Sequence, residues 1–195
     1  MAAIGPQAPE CVAALRNIAS QGTGTDRIAV GEAIRVLTGD CEPLLTAVLH
    51  GLDEGADSLR AAAVAAADLP DRAAVLVPAV IAALRANSAP TPSLPDHTAR
   101  IRLARTLWRL TGEADQVIPV LGASLQLARE LYTGSTVIDA VDAAAEMGDR
   151  ARGLLPAIER ALGDPIVCPA AARALLAIDP EGEWATAKRE QLAES

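Results

Sequence analysis

The residues whose types could do chemistry are few. His50 precedes Gly51 and His97 precedes Thr98, so the chain has no His-Glu step. Two histidines cannot supply the ligands of a paired-iron centre. Cys11, Cys41 and Cys168 are far apart and odd in number, and no CxxC occurs. A disulfide framework or zinc site is therefore not expected, and all three read as buried structural thiols. A Ser/His/Asp triad is arithmetically open to any chain with two histidines. No Gly-x-Ser-x-Gly, phosphate loop or dinucleotide fingerprint supports catalysis. The expectation is of no catalytic residue, no metal and no cofactor. The densest basic run is Arg100, Arg102, Arg105 and Arg109. Arg102, Arg105 and Arg109 fall at helical spacing and form one stripe, which either touches phosphates or pairs with acids of neighbouring elements. Trp108 lies beside them, next to core positions, and reads as a packing residue.

The elements that must carry these residues are helices. The chain has 195 residues, and 51% are hydrophobic, with no Phe, one Tyr and two Trp. Ala and Leu dominate; both favour helix over strand. The net charge of -8 argues against a nucleic-acid groove, which needs clustered Lys and Arg. No basic start followed by an apolar run marks a signal peptide, and no apolar span approaches twenty residues. A soluble, cytoplasmic protein is expected.

One internal match sets the organisation. Residues 33–52 read AIRVLTGDCEPLLTAVLHGL and residues 106–125 read TLWRLTGEADQVIPVLGASL. Leu37-Thr38-Gly39-Asp40 recurs as Leu110-Thr111-Gly112-Glu113, and Leu44-Leu45 recurs as Val117-Ile118. Glycine ends the first helix in a left-handed cap. The acid after it favours the positive end of the second helix. Weaker copies occur at Ile4-Gly5-Pro6, Ala67-Asp68-Leu69-Pro70-Asp71, Glu146-Met147-Gly148-Asp149 and Ile178-Asp179-Pro180-Glu181. Turns thus recur at the period of helical repeats. Apolar stripes include Val30, Ala33, Ile34 and Leu37; Leu44, Leu45, Val48 and Leu49; Leu103, Ala104, Leu107 and Leu110; and Val117, Ile118 and Leu121. Each helix pair has two apolar faces and must bury one on a neighbour.

The helix–Gly-acid–helix unit, with Pro78, Pro119 and Pro156 in second helices, resembles HEAT repeats, especially the short type of phycobilisome-lyase-related proteins. Leu107 to Gly112 resembles actinobacterial members. The resemblance covers nearly the whole chain. It implies an all-α, right-handed α-solenoid of about five stacked antiparallel helix pairs, a HEAT-like/ARM-type superhelix. The expected layout is a single domain over 1–195: a half-repeat at 1–21, units at 25–53, 56–86, 96–128, 131–162 and 164–193, and an irregular loop at 87–95. The chain starts in mid-repeat, as a piece of a longer protein or with a half-repeat cap. Glu181 to Ser195 reads as a charged terminal cap.

The same resemblance implies macromolecular binding. The expected function is a non-catalytic protein-binding scaffold. Second helices and loops of stacked pairs offer Glu42, Asp53, Glu54, Asp115, Gln116, Arg150, Arg152 and Glu159 as the binding surface. The acids among them point to a basic or amphipathic segment of a protein partner. Val12, Leu15 and Ile18 are expected to pack inward. Ile4, Cys11 and Ala14 then lack cover, which implies a weak homodimer or docking on upstream repeats through the N-terminal edge. The alternative is a nucleic-acid-binding protein or DNA glycosylase-like enzyme using Arg102, Arg105 and Arg109. Metal-dependent deoxyhypusine hydroxylases and bilin lyases share this kind of repeat, but the chain lacks the ligands of the first and shows no lined pocket for the second.

Overall fold

Apolar stripes at a 3.6-residue period fold here into helices throughout. The computed structural model describes residues 8–87, 94–131 and 134–187. Among them are ten α-helices, two 3-10 segments and no strand. None of these helices is long and apolar enough to cross a membrane. Tertiary contacts divide the chain into two compact units, Met1–Thr111 and Gly112–Ser195.

The first unit holds α1 (Ala8–Gln21), α2 (Gly24–Thr38), α3 (Glu42–Asp53), α4 (Ala56–Ala66), α5 (Ala73–Ala86) and α6 (Leu94–Thr111), with a 3-10 turn at Pro70–Arg72. Helix α2 packs on α1, α3 and α4; α3 also packs on α4 and α5; α6 packs on α4 and α5. The directions of α2 and α3 are opposed. Gly31 lies against Leu44, while Ile28, earlier in α2, reaches Gly51, later in α3. Small side chains let helices approach. Ala62, Ala63 and Ala66 of α4 are fully buried, and the hydroxyl of Thr106 in α6 donates to the Ala63 carbonyl at 2.5 Å.

The second unit holds α7 (Val117–Leu131), α8 (Gly134–Met147), a 3-10 segment (Gly148–Leu154), α9 (Leu155–Ala161) and α10 (Cys168–Ile178). Residues 183–187 are again helical. Helix α8 packs on α7 and α10, and α9 packs on α7 and α10. Within both units, every substantial helix contact among the described residues joins helices one or two steps apart in the chain. Each unit carries one tryptophan, Trp108 or Trp184, and both are half-buried.

The glycine turns have a common chemistry. Gly39, Gly112 and Gly148 have φ of 78°, 68° and 57°. A left-handed residue ends a helix, and only glycine occupies it without steric penalty. At the first turn the Gly39 N–H donates to the Arg35 carbonyl at 2.8 Å. Thr38 and Thr111 repeat one device: each hydroxyl donates to the carbonyl four residues back, at 2.8 Å and 2.7 Å. The acid after the glycine also acts locally. Asp40 Oδ1 accepts from the Glu42 N–H at 3.0 Å, satisfying a free donor at the start of α3.

Several expectations need correction. The cysteines are not buried thiols: Cys11 is exposed, Cys41 and Cys168 are half-buried, and all are free. Ile18 does not pack inward with Val12 and Leu15; its exposure is 56%, and Cys11 and Ala14 are exposed with it. Leu94 and Pro95, expected in the loop at 87–95, belong instead to α6. The chain after Gly148 enters a 3-10 segment before α9 rather than a helix directly. Ile4-Gly5-Pro6, residues 88–93 and the charged end from Lys188 lie outside the described residues.

The packing of α2 on α3 makes a stability prediction. A Cβ on Gly31 would stand 2.7 Å from the Leu44 Cα and 2.9 Å from its nitrogen, both backbone atoms that cannot turn aside. Gly31→Ala is expected to destabilise the protein by ~1–3 kcal/mol through overpacking. Gly39→Ala meets nothing within 4 Å and should lose only the ~1–2 kcal/mol of a left-handed residue with a side chain. Gly55→Ala, also open but at negative φ, should be near neutral. Urea unfolding followed by circular dichroism ranks the three.

Candidate binding groove

Helix α2 is the platform from which a concave surface is built, so its start matters first. Thr23 precedes it and forms a capping box with Asp26. The Thr23 N–H and hydroxyl both donate to Asp26 Oδ2 at 2.8 Å, and the Asp26 N–H donates to Thr23 Oγ1 at 3.3 Å. These donors, the backbone N–H first, hold the Asp26 carboxyl below its ordinary value of 3.8. The next residue is Arg27, whose guanidinium donates to the Glu54 carboxylate just after α3. Glu54 also lies against Gly24, where any Cβ would collide with it and with Ser58. The carboxylate therefore sits over the positive end of α2 as well as on Arg27.

On this platform α1, α2 and α3 enclose an open groove of about 270 Å³. Helix α1 contributes Arg16 and Ala19. Helix α2 contributes Arg27, Val30, Gly31 and Ile34. Helix α3 contributes Pro43, Thr46, Ala47 and His50, one face at i, i+3, i+4 and i+7. Val30 and Ile34 are buried against Val12, Leu15 and Ala19, which fixes the floor. Gly31 lets the start of α3 come down to that floor. Of the charged or polar members, Arg16, Thr46 and His50 are exposed at the rim and Arg27 is half-buried, and among the described residues no carboxylate lines the groove. The volume falls just under the ~300–1,000 Å³ of small-molecule pockets, so it fits one or two side chains better than a cofactor.

The residues expected to form a binding surface lie elsewhere. Glu42 opens α3 and is ion-paired to Arg72 at 2.6 Å. Asp53, exposed, closes the same helix about 16 Å away at 1.5 Å per residue. Glu54 is half-buried on Arg27. So two of these three acids already meet arginines, and Glu42 is a helix length from the others. Asp115 and Gln116 are exposed before α7. Arg150 and Arg152 are exposed in the 3-10 segment, and Arg152 is paired to Asp179 at 3.3 Å. Glu159 is exposed on α9. These five belong to the second unit. Arg102 and Arg105 are half-buried and Arg109 exposed, and each is engaged in an interaction. His97 is a buried residue of α6, 3% exposed. His50 is exposed near the end of α3. Among the described residues no three His, Cys, Asp or Glu side chains gather as a metal site would require.

The groove itself escaped sequence reasoning. Its only signal was the amphipathic pattern of α3: Leu44, Leu45 and Val48 mark the buried face, and Pro43, Thr46 and His50 fall beside it. Comparison with protein-family models, curated proteins and solved structures finds no match to this chain.

Two measurements test the platform. The Arg27 and Glu54 side chains are 38% and 31% exposed, so solvent screens their attraction. A double-mutant cycle with Arg27→Met and Glu54→Gln is expected to give a coupling of only ~0.2–1 kcal/mol. Asp26 yields a pH dependence. Its folded value is depressed, so its stabilisation is complete above the unfolded value and is lost as pH falls through the folded one. The stability advantage of the wild type over Asp26→Asn should therefore be flat near neutrality and shrink below about pH 3.8, which urea midpoints taken along a pH series will read.

Proposed function

We propose that this chain is a non-catalytic, protein-binding scaffold of the HEAT-repeat, α-solenoid type. The observation that carries the reading is the locality of packing. In each unit a helix packs on its neighbours one and two steps along the chain, as repeats that bury their faces only on adjacent repeats require. The left-handed glycines at 39, 112 and 148 support it, since they sit where helix pairs of such repeats turn. Architecture of this kind offers an extended surface rather than an enclosed reaction chamber, and binding to macromolecules is its usual use.

The surface supports a protein segment over nucleic acid. The arginine stripe that would hold phosphates is already engaged within the chain. The net charge of -8 repels a polyanion except at a dedicated basic face. The N-terminal edge, with Cys11, Ala14 and Ile18 exposed, adds a second docking place for another copy or for further repeats.

The test is a pair of binding measurements on the whole chain. A low-salt gel-shift titration with duplex and single-stranded DNA is expected to show no shift. Affinity capture from the native host is expected to retain a protein partner, and Arg102→Gln with Arg105→Gln should leave that capture unchanged. A salt-sensitive DNA shift abolished by those substitutions would replace the scaffold with the nucleic-acid reading.

A further inference from the structure

We infer that the groove between α1 and α3 receives an aliphatic side chain from an acidic segment of a protein partner. The inference deepens the scaffold reading and rests on it. The floor is aliphatic: Val30 and Ile34 of α2, with Ala47 of α3. An aliphatic anchor covers such a floor and is rewarded in proportion to the apolar area it removes from water. The charges that line the groove have one sign. Arg16 and Arg27 are cationic, His50 stands beside them, and among the described residues no Asp or Glu lines it, in a chain whose net charge is -8. Arg27 is answered by Glu54 from outside the groove. Arg16 makes no ion pair among the described residues, and its guanidinium offers a fork that matches a carboxylate. The imidazole of His50 carries an N–H donor in either protonation state.

Size and lining select among anions. The α3 wall from Pro43 to His50 runs about 10.5 Å at 1.5 Å per residue, the length of a few peptide residues. Among the described residues no aromatic side chain lines the groove, so a nucleobase has nothing there to stack on. An acidic peptide with a Leu, Ile, Val or Met anchor satisfies floor and rim together.

The whole chain is panned against a displayed library of random short peptides, with the Arg16→Glu variant used for subtraction. Enriched peptides are expected to place Asp or Glu within a few residues of an aliphatic residue. Fluorescence anisotropy of a labelled enriched peptide should show roughly tenfold weaker binding to Arg16→Glu, and a similar loss for Thr46→Glu, which sets a carboxylate at the exposed rim. Both positions are exposed, so circular dichroism should show unchanged helix for either variant. Octanoate and single-stranded DNA serve as competitors and should not displace the peptide. The inference is overturned if enriched peptides are basic, if binding ignores both substitutions, if either competitor displaces the peptide, or if no peptide is enriched. Host capture that persists undiminished in Arg16→Glu would then retain the scaffold and remove the groove, whereas loss of both peptide enrichment and host capture removes the scaffold.

Discussion

The near-contact of two backbones at Gly31 and Leu44 governs how α1, α2 and α3 come together. With no Cβ on Gly31, α3 settles directly onto α2. That approach buries Leu44 and Val48, and leaves Pro43, Thr46 and His50 of α3 lining the groove with Arg16 and Ala19 of α1. Any larger residue at position 31 would lift α3 and widen the floor. The same economy of side chains recurs at Gly51, which lies within 3.1 Å, in Cβ terms, of both Ala62 and Ile28. Close helices here follow from glycine and alanine at crossing points rather than from large interlocking side chains.

Electrostatics then act on geometry that packing has set. Glu54 is held by Arg27 and by the start of α2, so its charge is directed inward to the platform. Arg72 similarly answers Glu42, and Arg152 answers Asp179. These pairs link elements about 27 to 30 positions apart. An acidic chain thereby leaves cations at the groove: Glu54 and Glu42 are turned to Arg27 and Arg72, while Arg16 stands exposed at the opening.

Much of the helical plan was legible in sequence because its signals are local. The three left-handed turns could be read from glycine followed by an acid, and the stripes of α2, α3, α6 and α7 from a 3.6-residue period. What escaped depends on neighbours distant in sequence. His97 belongs to a buried helical face because α6 starts three residues before it, inside a stretch whose Pro95 looked like a loop; proline is tolerated in a first helical turn. Ile18 is exposed although its spacing matches Val12 and Leu15, because α2 covers the side of α1 centred on Val12, Leu15 and Ala19. Two acids that looked like parts of a binding surface, Glu42 and Glu54, meet arginines that only the fold brings near. The groove needed three helices to exist, and no single one of them announces it.

The aromatic poverty of the chain has a spectroscopic consequence. With no Phe and a single Tyr, ultraviolet emission is governed by two indoles, and the compact units hold one each. Trp108 sits half-buried in α6 and Trp184 half-buried near the end of the described chain. Removing either one makes the other a private optical probe. The melting of each unit can then be watched separately in an unlabelled protein, and any cooperativity between them becomes a directly observable quantity.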